Sequence, residues 1–130
     1  MKLERVNYSS GAPLEDKVGY SRMVSVGPMV LVGGTTSVLP DGNVYGETAY
    51  EQAKYIFEKQ VSLIEQAGAK AKDVVKIDAF VTDMAYAAEV GKAYSEIFHD
   101  IRPLFTQVAT PSLNRPTQFV EIEMMAIITD

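Results

Sequence analysis

The chain contains no cysteine and a single histidine. The first absence removes disulfides, thiolate nucleophiles, redox pairs and the Cys-built zinc and iron–sulfur sites. The second leaves His99 without a nucleophile in its own segment, so a serine triad is not expected. Basic charge is scarce as well: twelve Lys and Arg stand against seventeen Asp and Glu, a net charge of −5, and no window gathers them into a stripe. Affinity for a phosphate backbone rests on counterions released by clustered Lys and Arg, so a small molecule or a protein is the expected partner and a nucleic acid is not. Long apolar runs are missing too. Nothing approaches the roughly 20 apolar residues that cross a bilayer, and the opening Met1-Lys2-Leu3-Glu4-Arg5 is charged where a signal peptide is apolar. No membrane partner is expected, and the cytoplasm is the expected compartment. Two carboxylates and a distant histidine are too few for a metal, and calcium-loop patterns are absent, so no metal is expected.

What remains is the balance of a folding chain. The 130 residues are 47% hydrophobic and 22% charged, enough for one domain over residues 1–130 that buries about two thirds of its unfolded surface. Residues 24–26 alternate, Gly27-Pro28 signals a turn, and 29–32 is a continuous apolar run. This predicts two tightly joined strands, the second buried on both faces. Leu39-Pro40-Asp41-Gly42-Asn43 is turn chemistry. Ala53, Ile56, Phe57, Ile64 and Ala67 recur at helical spacing, which predicts a helix over 47–67 ended by Gly68 as a left-handed cap. Alternation predicts a strand over 73–82 with Val75, Ile77, Ala79 and Val81 on one face. Asp83 then caps a second helix, 85–98, with Ala88, Gly91, Tyr94 and Phe98 turned inward. Two last strands, 106–109 and 118–128, flank a polar loop. Two helices and at least five strands in this order predict an α+β fold with both helices on one face of the sheet. A domain this small with one helix-free sheet face is expected to meet copies of itself in a closed homo-oligomer.

Four sets of residues could carry chemistry. His99 precedes Asp100 and reads either as a general base beside a carboxylate or as a cation at a helix C-terminus. Glu121 and Glu123 are two apart on a strand and share a face while Val120, Ile122 and Met124 turn to the core. Like charges that close raise one carboxyl pKa and make a proton shuttle, or else they mark a solvated outer face. Gly33-Gly34 lacks the downstream Lys-Ser/Thr of a phosphate loop and reads as a strand-end bulge. Tyr20 and Arg22 share a strand face and could hold a small carboxylate, the guanidinium fork matching its geometry, or form an ordinary surface pair.

Taken together, Gly19-Tyr20-Ser21, Val26-Gly27 with Val30-Leu31-Val32-Gly33-Gly34, Leu63-Ile64-Glu65-Gln66-Ala67-Gly68, Asp73-Val74-Val75-Lys76 with Phe80-Val81-Thr82-Asp83-Met84, and Val120-Glu121-Ile122-Glu123 resemble the Rid (YjgF, endoribonuclease L-PSP) family, in the right order and spacing from about Gly19 to Ile128. The resemblance implies a chorismate-mutase-like α+β fold, a homotrimer whose sheets form a central barrel, and ligand clefts between subunits. It also implies hydrolysis of reactive enamines and imines to a keto acid and ammonia without a cofactor. In that reaction an arginine holds the substrate carboxylate and a glutamate on the last strand positions the attacking water.

Carried over residue by residue, Tyr20 matches the cleft tyrosine, Gly34 the strand-end glycine and Glu121 the water-positioning glutamate. Gly33 stands where RidA-type members have serine. Their Pro-Ala-Arg-Ser motif reads Pro103-Leu104-Phe105-Thr106 here, which puts Phe105 at the carboxylate-binding position. Arg102, three residues earlier, is not expected in the same cleft, whereas Arg22 could replace the clamp from another wall. Losing charge-assisted hydrogen bonds in a desolvated site costs on the order of 2 to 5 kcal/mol. The expected ligand is therefore not a simple 2-imino acid. The resemblance implies an enamine or imine hydrolase with Glu121 and Tyr20 catalytic and Phe105, Thr106, Gly33, Gly34, Thr35 and Arg22 binding the ligand. The alternative is a non-catalytic metabolite-binding trimer acting as a sensor or as the partner of another protein. Ribonuclease activity is disfavoured by the acidic charge.

Overall fold

In the computed structural model, which describes residues 2–129, strand β1 (Arg5–Tyr8) leads into a short helix α1 (Pro13–Val18). That helix starts on a proline, whose missing N–H costs nothing in a first turn, and stops at Gly19 with φ 93°. Gly27-Pro28 then closes a two-residue hairpin between β2 (Met23–Val26) and β3 (Met29–Thr35). The long helix α2 (Ala49–Gln66) opens on a capping box, Thr48 accepting from the Glu51 N–H while Glu51 reaches back. It closes with the Gly68 N–H on the Glu65 carbonyl and the Ala69 N–H on Ile64, the bond pair of a Schellman motif, which needs the left-handed Gly68. A 3₁₀ turn, Ala71–Asp73, delivers β4 (Val74–Val81). A second 3₁₀ turn, Met84–Tyr86, precedes α3 (Ala87–Phe98), followed by β5 (Leu104–Ala109) and β6 (Val120–Ile127).

The six strands form one sheet in the order β1-β2-β3-β6-β4-β5. Only β4 and β5 run parallel, joined by the α3 crossover that a parallel pair requires. Val30, Val32, Ile77, Ala79, Ile122 and Met124 bury one face of the sheet in the same core as Ile56, Phe57 and Ile64 of α2 and Val90 and Ala93 of α3. Each large apolar side chain sealed there contributes about 1.5–3 kcal/mol. Buried glutamines fasten helix to sheet. Gln60 donates to the Ile122 carbonyl at 2.8 Å. Gln52 donates to Thr117 and accepts from the Phe119 N–H, both at 2.8 Å. Neither α2 nor α3 covers the opposite face. The α+β sheet with its helices on one face is thus as expected, and among the described residues no helix is long and apolar enough to cross a membrane.

Several details differ from the sequence reading. The described residues hold six strands and three α-helices, because the short, exposed β1 and the six-residue α1 show little apolar periodicity. β3 is not buried on both faces: Leu31 is 41% exposed on the helix-free side, since the helices cover only the side of Val30 and Val32. In β4 the register shifts between Val74 and Lys76, which puts Val74 inward and leaves Val75 exposed. In α3 the inner stripe is Val90, Ala93 and Phe98 with Tyr94 partly covered, while Ala88 is exposed. At 3.6 residues per turn Ala88 lies about 120° around the helix from Tyr94, so a stripe drawn in steps of three drifts off the face that Val90, Ala93 and Phe98 bury.

Candidate active site

The site begins with an irregularity in β3. Its pairing with β6 slips between Val32 and Thr35, so Gly33-Gly34 form the expected bulge. The Thr35 hydroxyl, buried, donates to the Gly33 carbonyl at 2.8 Å and accepts from Gln60 at 3.3 Å, which ties the bulge to α2. Across the ladder, Val120, Ile122 and Met124 point to the core and Glu121 and Glu123 to the helix-free face. The Glu121 carboxyl lies flat against Gly34: a Cβ on that glycine would stand 2.7 Å from Glu121 Oε2 and 3.0 Å from its Cδ. Glycine is required here by close approach, not by a left-handed backbone.

Glu121 is half-buried, and burial pushes its pKa up. Arg22 opposes that shift and Glu123 adds to it. The carboxyl borders a cavity of about 400 Å³ lined also by Phe80, Thr110, Ser112, Leu113 and Asn114. Phe80 is its cross-strand neighbour. The polar lining comes from the β5–β6 loop, which is anchored by Gln118 donating to Thr36 at 3.1 Å and by the Gln52 bonds. A wider depression of about 470 Å³ runs over the helix-free face between Arg5, Leu31, Lys76, Glu123 and Met125. The smaller cavity is the candidate site because it holds the carboxylate with the altered affinity for protons.

Arg22 lines the wider depression, together with Gly33, rather than the cavity beside Glu121, and is largely engaged. Its Nη1 donates to the Gly34 carbonyl and lies 3.5 Å from the Thr35 hydroxyl, and its Nε is 3.8 Å from Glu15 Oε2. Glu15 is buried, 3% exposed, an arrangement the sequence reading missed. Burial raises its pKa, but hydrogen bonds from the Ser10 and Ser9 hydroxyls and the Ser10 N–H, together with Arg22, carry it below the usual carboxylate range. Lys59 of α2 is held below the usual lysine range by burial, with the Arg22 charge adding to the effect. The only sequence signal for Glu15 was the Pro13…Gly19 frame of a short helix around it.

The other anticipated residues divide between the two faces. Tyr20 is 41% exposed with its ring 5.9 Å from the Arg22 guanidinium carbon, a cation–π pair. Gly33, Gly34, Thr35, Arg22 and Glu121 come together. Phe105 does not join them: it pairs with Ile77 and stacks on Tyr94 of α3, centroids 4.1 Å apart and planes within 2°, on the helix side of the sheet. Thr106, its neighbour, is paired with Asp78 and exposed. Arg102 is exposed at φ 60° beyond α3. His99 is the exposed C-cap of α3, and its Nδ1 lies 2.9 Å from Asp100 Oδ1. Among the described residues no group of three or more His, Asp or Glu is placed to hold a metal ion.

Comparison with known proteins places the chain among relatives. The Endoribonuclease L-PSP family model matches residues 11–128. A RutC family protein of Pyrococcus abyssi is 32% identical over 109 residues, 83% of this chain and 84% of that one. The 2-iminobutanoate/2-iminopropanoate deaminase of Salmonella typhimurium is 31% identical over 108 residues, 83% of this chain and 84% of that enzyme. Among solved structures, Rv2704 of Mycobacterium tuberculosis, a member of the YjgF/YER057c/UK114 family, superposes with a TM-score of 0.87 at 36% identity, covering 96% of this chain and all of that one (100%).

Proposed function

Because this chain belongs to the Endoribonuclease L-PSP (YjgF, Rid) family, we propose that it hydrolyses a small enamine or imine in clefts between the subunits of a homotrimer. The similarity to an iminobutanoate deaminase supports the reaction class. The observation that carries the reading is the seating of Glu121, half-buried against Gly34 and inclined to hold a proton. As carboxylate it accepts a hydrogen bond from water and takes a proton as the oxygen attacks the imine carbon. With the imine nitrogen protonated, attack moves the C=N electron pair to nitrogen and leaves a carbinolamine. The carboxylic acid then gives its proton to that amine, the C–N bond breaks as the carbonyl forms, and the hydroxyl proton returns to the carboxylate as ammonia leaves. Tyr20, exposed beside Arg22, is the hydroxyl that steadies the substrate. The uncovered sheet face, with exposed Leu31, Val108 and Leu104, supports assembly with further copies.

The cavity beside Glu121 is lined by neutral groups, and Phe105 is stacked on Tyr94 where the resemblance implied a carboxylate clamp. A substrate without a free 2-carboxylate fits this better than a simple 2-imino acid. Purified protein is tested by generating 2-aminoacrylate and a panel of other amino-acid-derived imines, carboxylated and not, in the presence of semicarbazide. Wild type should suppress semicarbazone formation for at least one substrate and Glu121→Gln should not. Equal decay with both proteins for every substrate rejects the reading. Because Arg22 is engaged internally, a non-catalytic metabolite-binding role is the second reading. It predicts a ligand that raises Tm by mass action and is recovered intact.

A further inference from the structure

The link between Arg22 and Glu121 runs through Gly34. One Arg22 nitrogen holds the carbonyl of the glycine whose Cα face supports the Glu121 carboxyl. The same guanidinium leans on Glu15, which Ser9 and Ser10 fix in turn. With a side chain 14% exposed and with the Gly34 and Thr35 oxygens and Glu15 around it, this arginine is not a free clamp for a ligand. Its backbone is pinned as well, the Arg22 N–H on the Tyr8 carbonyl at 2.9 Å and the Arg22 carbonyl taking the Gly33 N–H at 3.0 Å. Every one of these contacts ends at the bulge or at the segment before β2.

We propose that Arg22 is a positioning residue for Glu121: it grips the glycine ledge on which that carboxyl rests and places a positive charge beside it. The link to catalysis rests on the hydrolase role proposed for Glu121, whereas the coupling between the two side chains does not. Among the described residues, the charged groups acting on Glu121 are Arg22 from the head of β2 and Glu123 on its own strand. Phe80 of β4 and Thr110, Ser112 and Asn114 of the β5–β6 loop bring no charge. Glu15 from α1 and Lys59 from α2 act on Arg22 itself. The device therefore has one cation, one neighbouring anion and a glycine between them.

The experiment is a carbon-detected titration of the glutamate carboxyls in the full-length protein, with Glu121 assigned by the resonance that Glu121→Gln removes. Arg22→Gln keeps a donor for the Gly34 carbonyl without the charge, Arg22→Met loses both, and Arg22→Lys keeps the charge. The Glu121 midpoint should rise by about one pH unit in Arg22→Gln, the low end of what an adjacent opposite charge supplies, and Arg22→Lys should restore most of it. Turnover against pH, where a substrate is in hand, should move with the midpoint. An unchanged midpoint in Arg22→Gln, or a rise that Arg22→Lys does not reverse, overturns the proposal. Should Arg22→Met fail to fold, the glutamine and lysine variants still decide. A titration that behaves as expected in a protein whose Glu121→Gln variant loses no activity would refute the hydrolase reading and leave the positioning role standing.

Discussion

Replacing Gly34 by alanine should separate stability from function. The added Cβ would meet Glu121 Oε2 at 2.7 Å and its Cδ at 3.0 Å, while no backbone atom is among its nearest contacts. Relief therefore comes from the end of one flexible side chain. An ordinary contact needs about 3.4 Å or more, so the carboxyl must retreat by about 0.7 Å. Gly34 has no left-handed backbone angle, so alanine adds no conformational strain. The folding penalty should stay below about 1 kcal/mol, a loss of only a few degrees in Tm for a chain of this size. Displacing a reacting group by about 1 Å can cost about 10²-fold in rate, and a carboxyl swung toward solvent also loses the burial that raises its pKa. The expected result is a near-native Tm, turnover reduced by roughly 10–100-fold, and a Glu121 titration midpoint lowered toward the ordinary glutamate value. In a Glu121→Gln background the same change should do almost nothing to activity, since it acts only through that side chain. Full activity with an unmoved Glu121 resonance would refute the reasoning, as would a large loss of stability.

Other perturbations test the remaining parts. A carboxyl whose folded-state pKa is raised contributes stability below the ordinary glutamate range and loses it as pH rises, so wild type should become less stable relative to Glu121→Gln as pH rises above about 4, by urea denaturation. A pH-independent difference would count against the burial argument. Glu15 has the opposite sign: its pKa is lowered, so wild type should exceed Glu15→Gln by about 1.5–3 kcal/mol at pH 7, the scale of hydrogen bonds to a charged acceptor, and lose that advantage below about pH 4. Phe105→Ala removes a stacked, partly buried ring and should cost about 2 kcal/mol while leaving the Glu121 titration where it was. A shifted Glu121 midpoint in that variant would show that the two side chains share a site.

The sequence announced the large elements because their signals are redundant. In α2 the apolar stripe, the Thr48-x-x-Glu51 box and Gly68 all agree, and in β6 alternation alone gives the faces of Glu121 and Glu123. The errors fall where one signal stands alone or a phase shifts. Strict alternation turns Val75 inward, which a single-residue register slip in β4 reverses. Steps of three residues turn Ala88 inward, a spacing that drifts off the buried face of a helix with 3.6 residues per turn. Phe105 and Thr106 are adjacent on one strand and so must lie on opposite faces; that parity, read against the pairing of Asp78 with both Thr106 and Glu123, puts Thr106 and not Phe105 on the face of Glu121. Such parity needs the strand partners, and no single sequence supplies them. Glu15 was illegible for a different reason: its role depends on Ser9, Ser10 and Arg22 converging from three segments.

The same convergence explains how a proton-hungry carboxyl and an arginine can be neighbours. A guanidinium paired directly with Glu121 would depress its pKa by about 1–3 units and leave it ionised throughout the neutral range, unable to return a proton to a departing amine. Here the guanidinium bonds the Gly34 carbonyl and leans on Glu15 instead of pairing directly with Glu121, and burial retains the upper hand at Glu121. Glu15 is thus more than an anchor for the segment before β2: its negative charge holds Arg22 back. If that is so, Glu15→Gln should let Arg22 act more strongly on Glu121, lower the Glu121 midpoint, and slow C–N cleavage more than water attack. Single-turnover measurements would show the excess as accumulation of a tetrahedral adduct ahead of ammonia release. A Glu121 midpoint that rises in Glu15→Gln would mean that Arg22 leaves the site once its anion is gone, and that Glu15 presents the arginine instead of restraining it.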